Sequence, residues 1–220
     1  VEQTTETLGP VQLRSAVVGP MATNAYLLTD PVARRQLLVD PGDEPDRLTE
    51  LLRLGLPRGG LDVVVVTHRH SDHLGALAAV VERTRAAVVA GEADADAITQ
   101  ATGVPVRTVL RHGDVVEVGA VRLEVIALRG HTPGSVALAL LEPMRDEPPR
   151  THLFTGDALF PGGVGSTGGD PSRFAQLYSD VVVRVFDRFD DRTTVRPGHG
   201  LATTLGDERP QLRAWRERRW

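Results

Sequence analysis

The chain contains no cysteine and no lysine. The first absence excludes disulfides, a cysteine nucleophile and thiolate metal ligands, so any metal must be held by nitrogen and oxygen. Because of the second, all 25 basic side chains are arginine, and the glycine-rich stretch 161–169 lacks the lysine of a phosphate-binding loop. Together with abundant Ala, Val and Gly, the arginine bias reads as GC-rich coding. No apolar run is long enough to cross a bilayer, and Val1 opens a polar segment rather than a secretory signal, so the cytoplasm is the expected compartment. Like charges do not cluster until Arg213, Arg216, Arg218 and Arg219. Beside Glu217 these read as a solvated helix face, and the net charge of -4 gives no expectation of nucleic-acid or membrane binding. No Pro/Gly/Ser-rich linker divides the 220 residues, of which 41% are hydrophobic and 25% charged. One domain over 1–220 with a substantial core is expected.

Short strands are predicted at 11–17, 24–29 and 36–39, separated by Gly19-Pro20 and Asp30-Pro31. Leu48, Leu51, Leu52 and Leu54 recur at helical spacing before Gly55. The run 61–66, with four consecutive valines, reads as a strand buried on both faces, followed by a helix over 74–85. A strand at 86–90 and a helix at 93–101 come next, then strands at 106–110, 115–118, 121–127, 135–141 and 151–155. A long helix over 174–189, a strand at 193–196 and a closing helix over 207–218 complete the pattern. Two sets of strands, each covered by helices, predict an α/β (α+β) fold built as a four-layer αββα sandwich.

Three of the seven histidines fall within six residues, in Thr67-His68-Arg69-His70-Ser71-Asp72-His73. Residues i and i+2 of an extended chain point to the same side, so His68 and His70 would face one way as the loop leaves the buried valines. Asp72 and His73 follow where the chain turns. Burying such polar groups without partners costs roughly 2–7 kcal/mol each, which a bound metal would relieve. Three later segments share one form, an apolar strand ending in a metal-capable residue among glycines. They are Gly130-His131-Thr132-Pro133-Gly134-Ser135, Gly156-Asp157-Ala158-Leu159-Phe160 and Pro197-Gly198-His199-Gly200. His112 and His152 belong to no such pattern and read as ordinary loop and strand histidines.

The run Thr-His-Arg-His-Ser-Asp-His-Leu-Gly resembles the T-H-x-H-x-D-H-x-G signature of the metallo-β-lactamase superfamily. With Asp40-Pro41-Gly42 and the three later motifs, the chain is most similar to glyoxalase II and its shorter relatives. That resemblance implies the metallo-β-lactamase form of the αββα sandwich and two divalent metal ions. His68, His70 and His131 would hold one ion, Asp72, His73 and His199 the other, with Asp157 bridging. Asp40 would orient a ligand histidine from behind. Nitrogen and carboxylate ligands suit zinc first, with iron or manganese also compatible.

Such a pair of ions would share a hydroxide that attacks an activated carbonyl, with Asp72 orienting the nucleophile or passing on a proton. A thiolate leaves readily, whereas an alkoxide or amine wants a proton donor. Lactonases of the superfamily typically carry a tyrosine three residues after the bridging aspartate; here that position is Phe160. The expectation is therefore hydrolysis of a small-molecule acyl thioester, with a lactonase, another ester hydrolase or a mono-iron persulfide dioxygenase as alternatives. Classical glyoxalase II grips glutathione through a C-terminal helical domain, whereas 21 residues follow His199 here. The thiol carrier is open between glutathione and another thiol. Phe160 and Phe174 are the candidate lining of an acyl pocket.

Overall fold

A computed structural model describes residues 4–218. Seven strands form the first sheet in chain order: β1 (Thr4–Leu8), β2 (Val11–Val18), β3 (Thr23–Asp30), β4 (Arg35–Val39), β5 (Val63–Val66), β6 (Ala87–Gly91) and β7 (Thr108–Leu110). Its first four strands are antiparallel and its last four parallel. The parallel half is joined through helices α1 (Pro45–Gly55), α2 (Leu77–Thr84) and α3 (Ala95–Thr102), as parallel pairing requires a crossover. The second sheet contains β8 (Val115–Val118), β9 (Val121–Ala127), β10 (Val136–Glu142), β11 (Arg150–Gly156), β14 (Thr194–Pro197) and β15 (Thr203–Thr204), ordered β15-β14-β11-β10-β9-β8. A small ribbon, β12 (Leu159–Phe160) with β13 (Gly163–Val164), lies between β11 and α4 (Pro171–Val181) in the chain. Helices α5 (Leu205–Glu208) and α6 (Leu212–Arg218) close the described chain.

Side-chain alternation along the strands builds the layers. On β5, Val64 and Val66 join α1, α2 and α3 residues such as Leu51, Leu77 and Ile98, while Val65 faces Leu123, Leu138 and Phe154 of the other sheet. On β10, Val136, Leu138 and Leu140 point to the inter-sheet core, and Ala137 and Ala139 meet Phe174, Leu177 and Trp215 of the outer helices. Three apolar layers between four structural layers make the αββα sandwich. Each fully buried Leu or Val contributes about 1.5–3 kcal/mol. No helix among the described residues is long and apolar enough to cross a membrane.

Three helices differ from expectation. The helix placed at 74–85 begins at Leu77, because Ser71–His73 form a 3₁₀ turn and Ala76 N donates to Pro41 O in the loop after β4. The helix placed at 174–189 starts earlier, at Pro171, where Asp170 caps the amides of Ser172 and Arg173. It then widens into a π turn at Val182–Phe186 that buries both Val185 and Phe186. The closing helix over 207–218 is split by a 3₁₀ turn at Arg209–Gln211, since Pro210 has no N–H to continue the ladder. Val1 and Arg219 lie outside the described residues.

Candidate metal centre

All seven predicted ligands sit in segments that directly follow strands. His68, His70, Asp72 and His73 come after β5, His131 after β9, Asp157 after β11 and His199 after β14. Rigid strands thereby deliver short loops to one place. His70 Nδ1 lies 3.0 Å from His68 Nε2 and 2.9 Å from His131 Nε2. His199 Nε2 lies 3.0 Å from Asp72 Oδ2 and 3.2 Å from His73 Nε2. Two triads result, His68/His70/His131 and Asp72/His73/His199, each with donor atoms within 4.8 Å of one another. Asp157 faces both. Its Oδ2 is 3.8 Å from His131 Nε2 and 3.5 Å from His199 Nε2, and its Oδ1 is 3.3 Å from His73 Nε2. The close packing needs a glycine at 198, where a Cβ would overlap Asp157 Oδ1.

On four of the five rings the outer nitrogen is already occupied. His131 Nδ1 donates to Ser166 O at 2.7 Å, His199 Nδ1 to Met21 O at 2.9 Å and His73 Nδ1 to Asp40 Oδ2 at 2.9 Å. A ring that donates through Nδ1 presents Nε2 as a lone pair when neutral, so three lone pairs point inward. His68 Nδ1 lies 3.1 Å from Thr67 Oγ1, which itself donates to Asp40 Oδ2 at 2.7 Å. Asp40 also accepts from Thr67 N at 2.8 Å, so one buried carboxylate braces both His73 and the start of the His68 loop. Its backbone is left-handed, φ 52°, a conformation Asp tolerates better than most residues.

Electrostatics separate the triads. Burial holds His68 well below the usual imidazole range, and it lowers His70 and His131 as well. Burial opposes protonation of His73 too, but Asp40 and Asp157 outweigh it and lift that ring to about 10. Asp157 raises His199 in the same way. Burial disfavours the Asp157 carboxylate, yet the neighbouring imidazoles of His199 and His73 hold it well below the usual range. Its Oδ1 is buried with no hydrogen-bond partner. Converging imidazole lone pairs, clustered carboxylates and an orphaned carboxylate oxygen are a donor set for divalent cations, with nitrogen and oxygen ligands of the kind zinc, iron and manganese accept.

The other predicted residues are placed as follows. Phe160 is half-buried on β12, and Phe174 is buried in the outer core, stacked on Tyr178 at 5.8 Å. His112 lies exposed in a turn, and His152 is buried on β11 with Nε2 2.9 Å from Glu142 Oε2. Several supporting residues escaped the sequence reading. Asn24 Nδ2 donates to Pro197 O and Gly200 O, and Tyr26 Oη to Pro197 O, fixing the His199 loop from β3. Arg173 donates to the carbonyls of Gly130 and His131. The one signal for Asn24 and Tyr26 was polarity inside a strand that proves buried throughout.

A family description reading metallo-beta-lactamase superfamily matches residues 18–218. Hydroxyacylglutathione hydrolase GloC of Haemophilus influenzae is 29% identical over 202 residues, covering 84% of this chain and 89% of that protein. ETHE1 from Myxococcus xanthus superposes with a TM-score of 0.73 at 31% identity, covering 90% of this chain and 81% of the other. TTHA1623 in a di-iron-bound form gives a TM-score of 0.67 at 31% identity over 89% of this chain and 96% of its own. With its fold and its cluster of histidines and aspartates, this chain belongs to the metallo-beta-lactamase superfamily, whose members are typically metal-dependent hydrolases.

Proposed function

We propose that this protein hydrolyses acyl thioesters at a centre of two divalent ions, zinc first among the candidates. The observation that carries the reading is Asp157, one carboxylate facing two triads of metal-capable side chains. His68, His70 and His131 would hold one ion and Asp72, His73 and His199 the other, with Asp157 shared. When bound, such ions make hydroxide available near neutral pH and offset the negative charge that develops on a carbonyl under attack. Asp40 and Thr67 hold the imidazoles of His73 and His68 in the tautomers that leave their inner nitrogens free. Asp72 Oδ2, at the mouth of the second triad and 3.5 Å from Thr23 Oγ1, would orient water and take up its proton.

In the reaction, water oxygen bonds to the acyl carbon, the carbon–sulfur bond breaks, and carboxylic acid and thiol leave. A thiolate of free pKa about 8.5 departs without a proton donor. That agrees with Phe160, a residue that has no proton to give, on the strand just beyond Asp157. The name of the Haemophilus relative, a hydroxyacylglutathione hydrolase, supports the same substrate class. The carrier thiol is glutathione or another low-molecular-weight thiol, and the chain would act in the cytoplasm on this small molecule alone.

A second reading, a mono-iron persulfide dioxygenase, draws on His68, His73 and Asp157, which also lie together. Two imidazoles and one carboxylate are the donor set of many non-haem iron oxygenases. The separating experiment is thiol release from a panel of acyl thioesters, S-lactoylglutathione included, with and without chelator. Chelator-sensitive release is the expected result. One iron per chain, with oxygen uptake on persulfide and no thiol release, would replace the hydrolase by the oxygenase.

A further inference from the structure

Asp94 occupies the residue just before α3, where an aspartate ordinarily caps the helix amides. It makes no such cap. Its side chain, on a residue with 0% exposure, turns instead toward the two loops that carry the first triad. Oδ2 accepts from Arg69 N at 3.1 Å and from Thr132 Oγ1 at 2.5 Å, and Oδ1 accepts from Gly134 N at 2.9 Å. Arg69 is the residue between His68 and His70, and Thr132 directly follows His131. The guanidinium of Arg69 stands 3.8 Å from Oδ1 and partners the buried charge. Gly134 is held so close that a Cβ there would overlap Asp94 N and crowd its Cβ and Cγ at 2.8 Å.

The geometry points to Asp94 as a positioning residue for the His68/His70/His131 triad, the counterpart of Asp40 behind His73. The inference rests on the metal reading above and adds a residue that no ligand motif contains. Asp94 spans the gap between the His68–His70 loop and the His131 loop, so it sets the separation of the three imidazoles. Its hydrogen bonds reach Arg69, Thr132 and Gly134, and none reaches the 3₁₀ turn that carries Asp72 and His73 or the loop of His199. Its loss should therefore weaken one ion and spare the other. A purely structural role would lower stability without distinguishing the two.

The test uses the full-length protein loaded with zinc, or with cobalt to give a visible spectrum, then dialysed against graded chelator. Wild type should retain two ions. Asp94→Ala should lose one ion at about 10–100-fold lower chelator than wild type, with a loss of cobalt absorbance confined to one of two components. Asp94→Asn, whose single carbonyl oxygen can replace Oδ2 and keep two of the three bonds, should fall between them. Asp96→Ala, an exposed change on the same helix, should match wild type. If Asp94→Ala does not fold, Thr132→Val removes one of the three donors and should show the same one-ion loss in weaker form. Equal retention of both ions in Asp94→Asn and Thr132→Val, or parallel loss of both, would overturn the positioning role. Wild type that binds no zinc or cobalt would instead refute the metal reading itself.

Discussion

Two partly buried polar clusters in this fold combine histidine with carboxylate, and they differ in the source of their positive charge. Across the sheets, Arg196 on β14 makes a bidentate pair with Glu6 on β1, at 2.9 and 2.7 Å. His152 lies beside it, Nδ1 3.4 Å from Arg196 and Nε2 2.9 Å from Glu142. That cluster contains its own cation, and a neutral His152 can accept from the arginine while donating to the glutamate. At the loop end, Asp40, Asp72 and Asp157 are met by imidazoles and threonine hydroxyls, and among the described residues no arginine is hydrogen-bonded to them. Asp157 is left with an orphaned oxygen. Buried anions require a counter-charge, so the first cluster is balanced in charge as folded, with only Arg196 Nε left unpaired, and the second is built to receive a cation. Burial and histidine are common to both; the missing guanidinium is what marks the metal centre.

The sharpest way to break the comparison is Asp157→Ala. It removes the one group facing both triads, so activity should fall by more than about 100-fold, beyond what partners behind the ligands usually cost, and metal content should fall with it. Activity that survives with two ions bound would remove Asp157 from the centre. Next in size, His70→Ala and His152→Ala should separate cleanly. The first should abolish turnover and release an ion while the metal-free protein melts as before. The second should keep both ions but lose roughly 1–3 kcal/mol of stability, because Glu142 is left without its hydrogen-bond partner while Arg196 keeps only Glu6. Metal analysis and thermal melts of the two variants decide this.

Smaller again, Asp40→Ala should weaken metal retention by about 10–100-fold through His73 and the Thr67–His68 start of the loop; unchanged retention would reduce Asp40 to a turn residue. The smallest expected effect is on pH dependence. Burial holds His152 below its ordinary 6.5, so as pH falls through about 6.5 the unfolded chain takes a proton that the folded one refuses, and stability drops. Glu6, lowered by its hydrogen bond to Arg196, adds stability above its ordinary 4.5 that disappears as acid protonates it. His152→Gln should therefore flatten the melting-temperature profile below pH 6.5, and an identical slope would show that His152 does not titrate as described.

Much of this molecule could be read from its residues. The four valines of β5 and the alternating apolar strands gave the layers because burial on one or both faces leaves a period-two signature, visible without any contact map. The ligands stood out because four crowd into Thr67–His73 after the buried valines and the other three each end an apolar strand among glycines. Strand β1 was missed because Thr4–Leu8 carries a single apolar residue in its pairing with β2. The π turn at Val182–Phe186 was missed because its apolar spacing reads as ordinary helix. The residues behind the ligands were the least legible. Asn24, Tyr26 and Asp94 act across 173, 171 and 25 to 40 positions of sequence, and Asp94 resembles a routine helix cap until its carboxylate is seen pointing elsewhere.

The most direct measurement of the central claim is the metal content per chain of the zinc-reconstituted protein, compared with His70→Ala and His199→Ala. The two-triad account predicts two ions in the wild type and one in each variant, with the remaining ion in a different triad each time. A single ion in all three, or none, would contradict it.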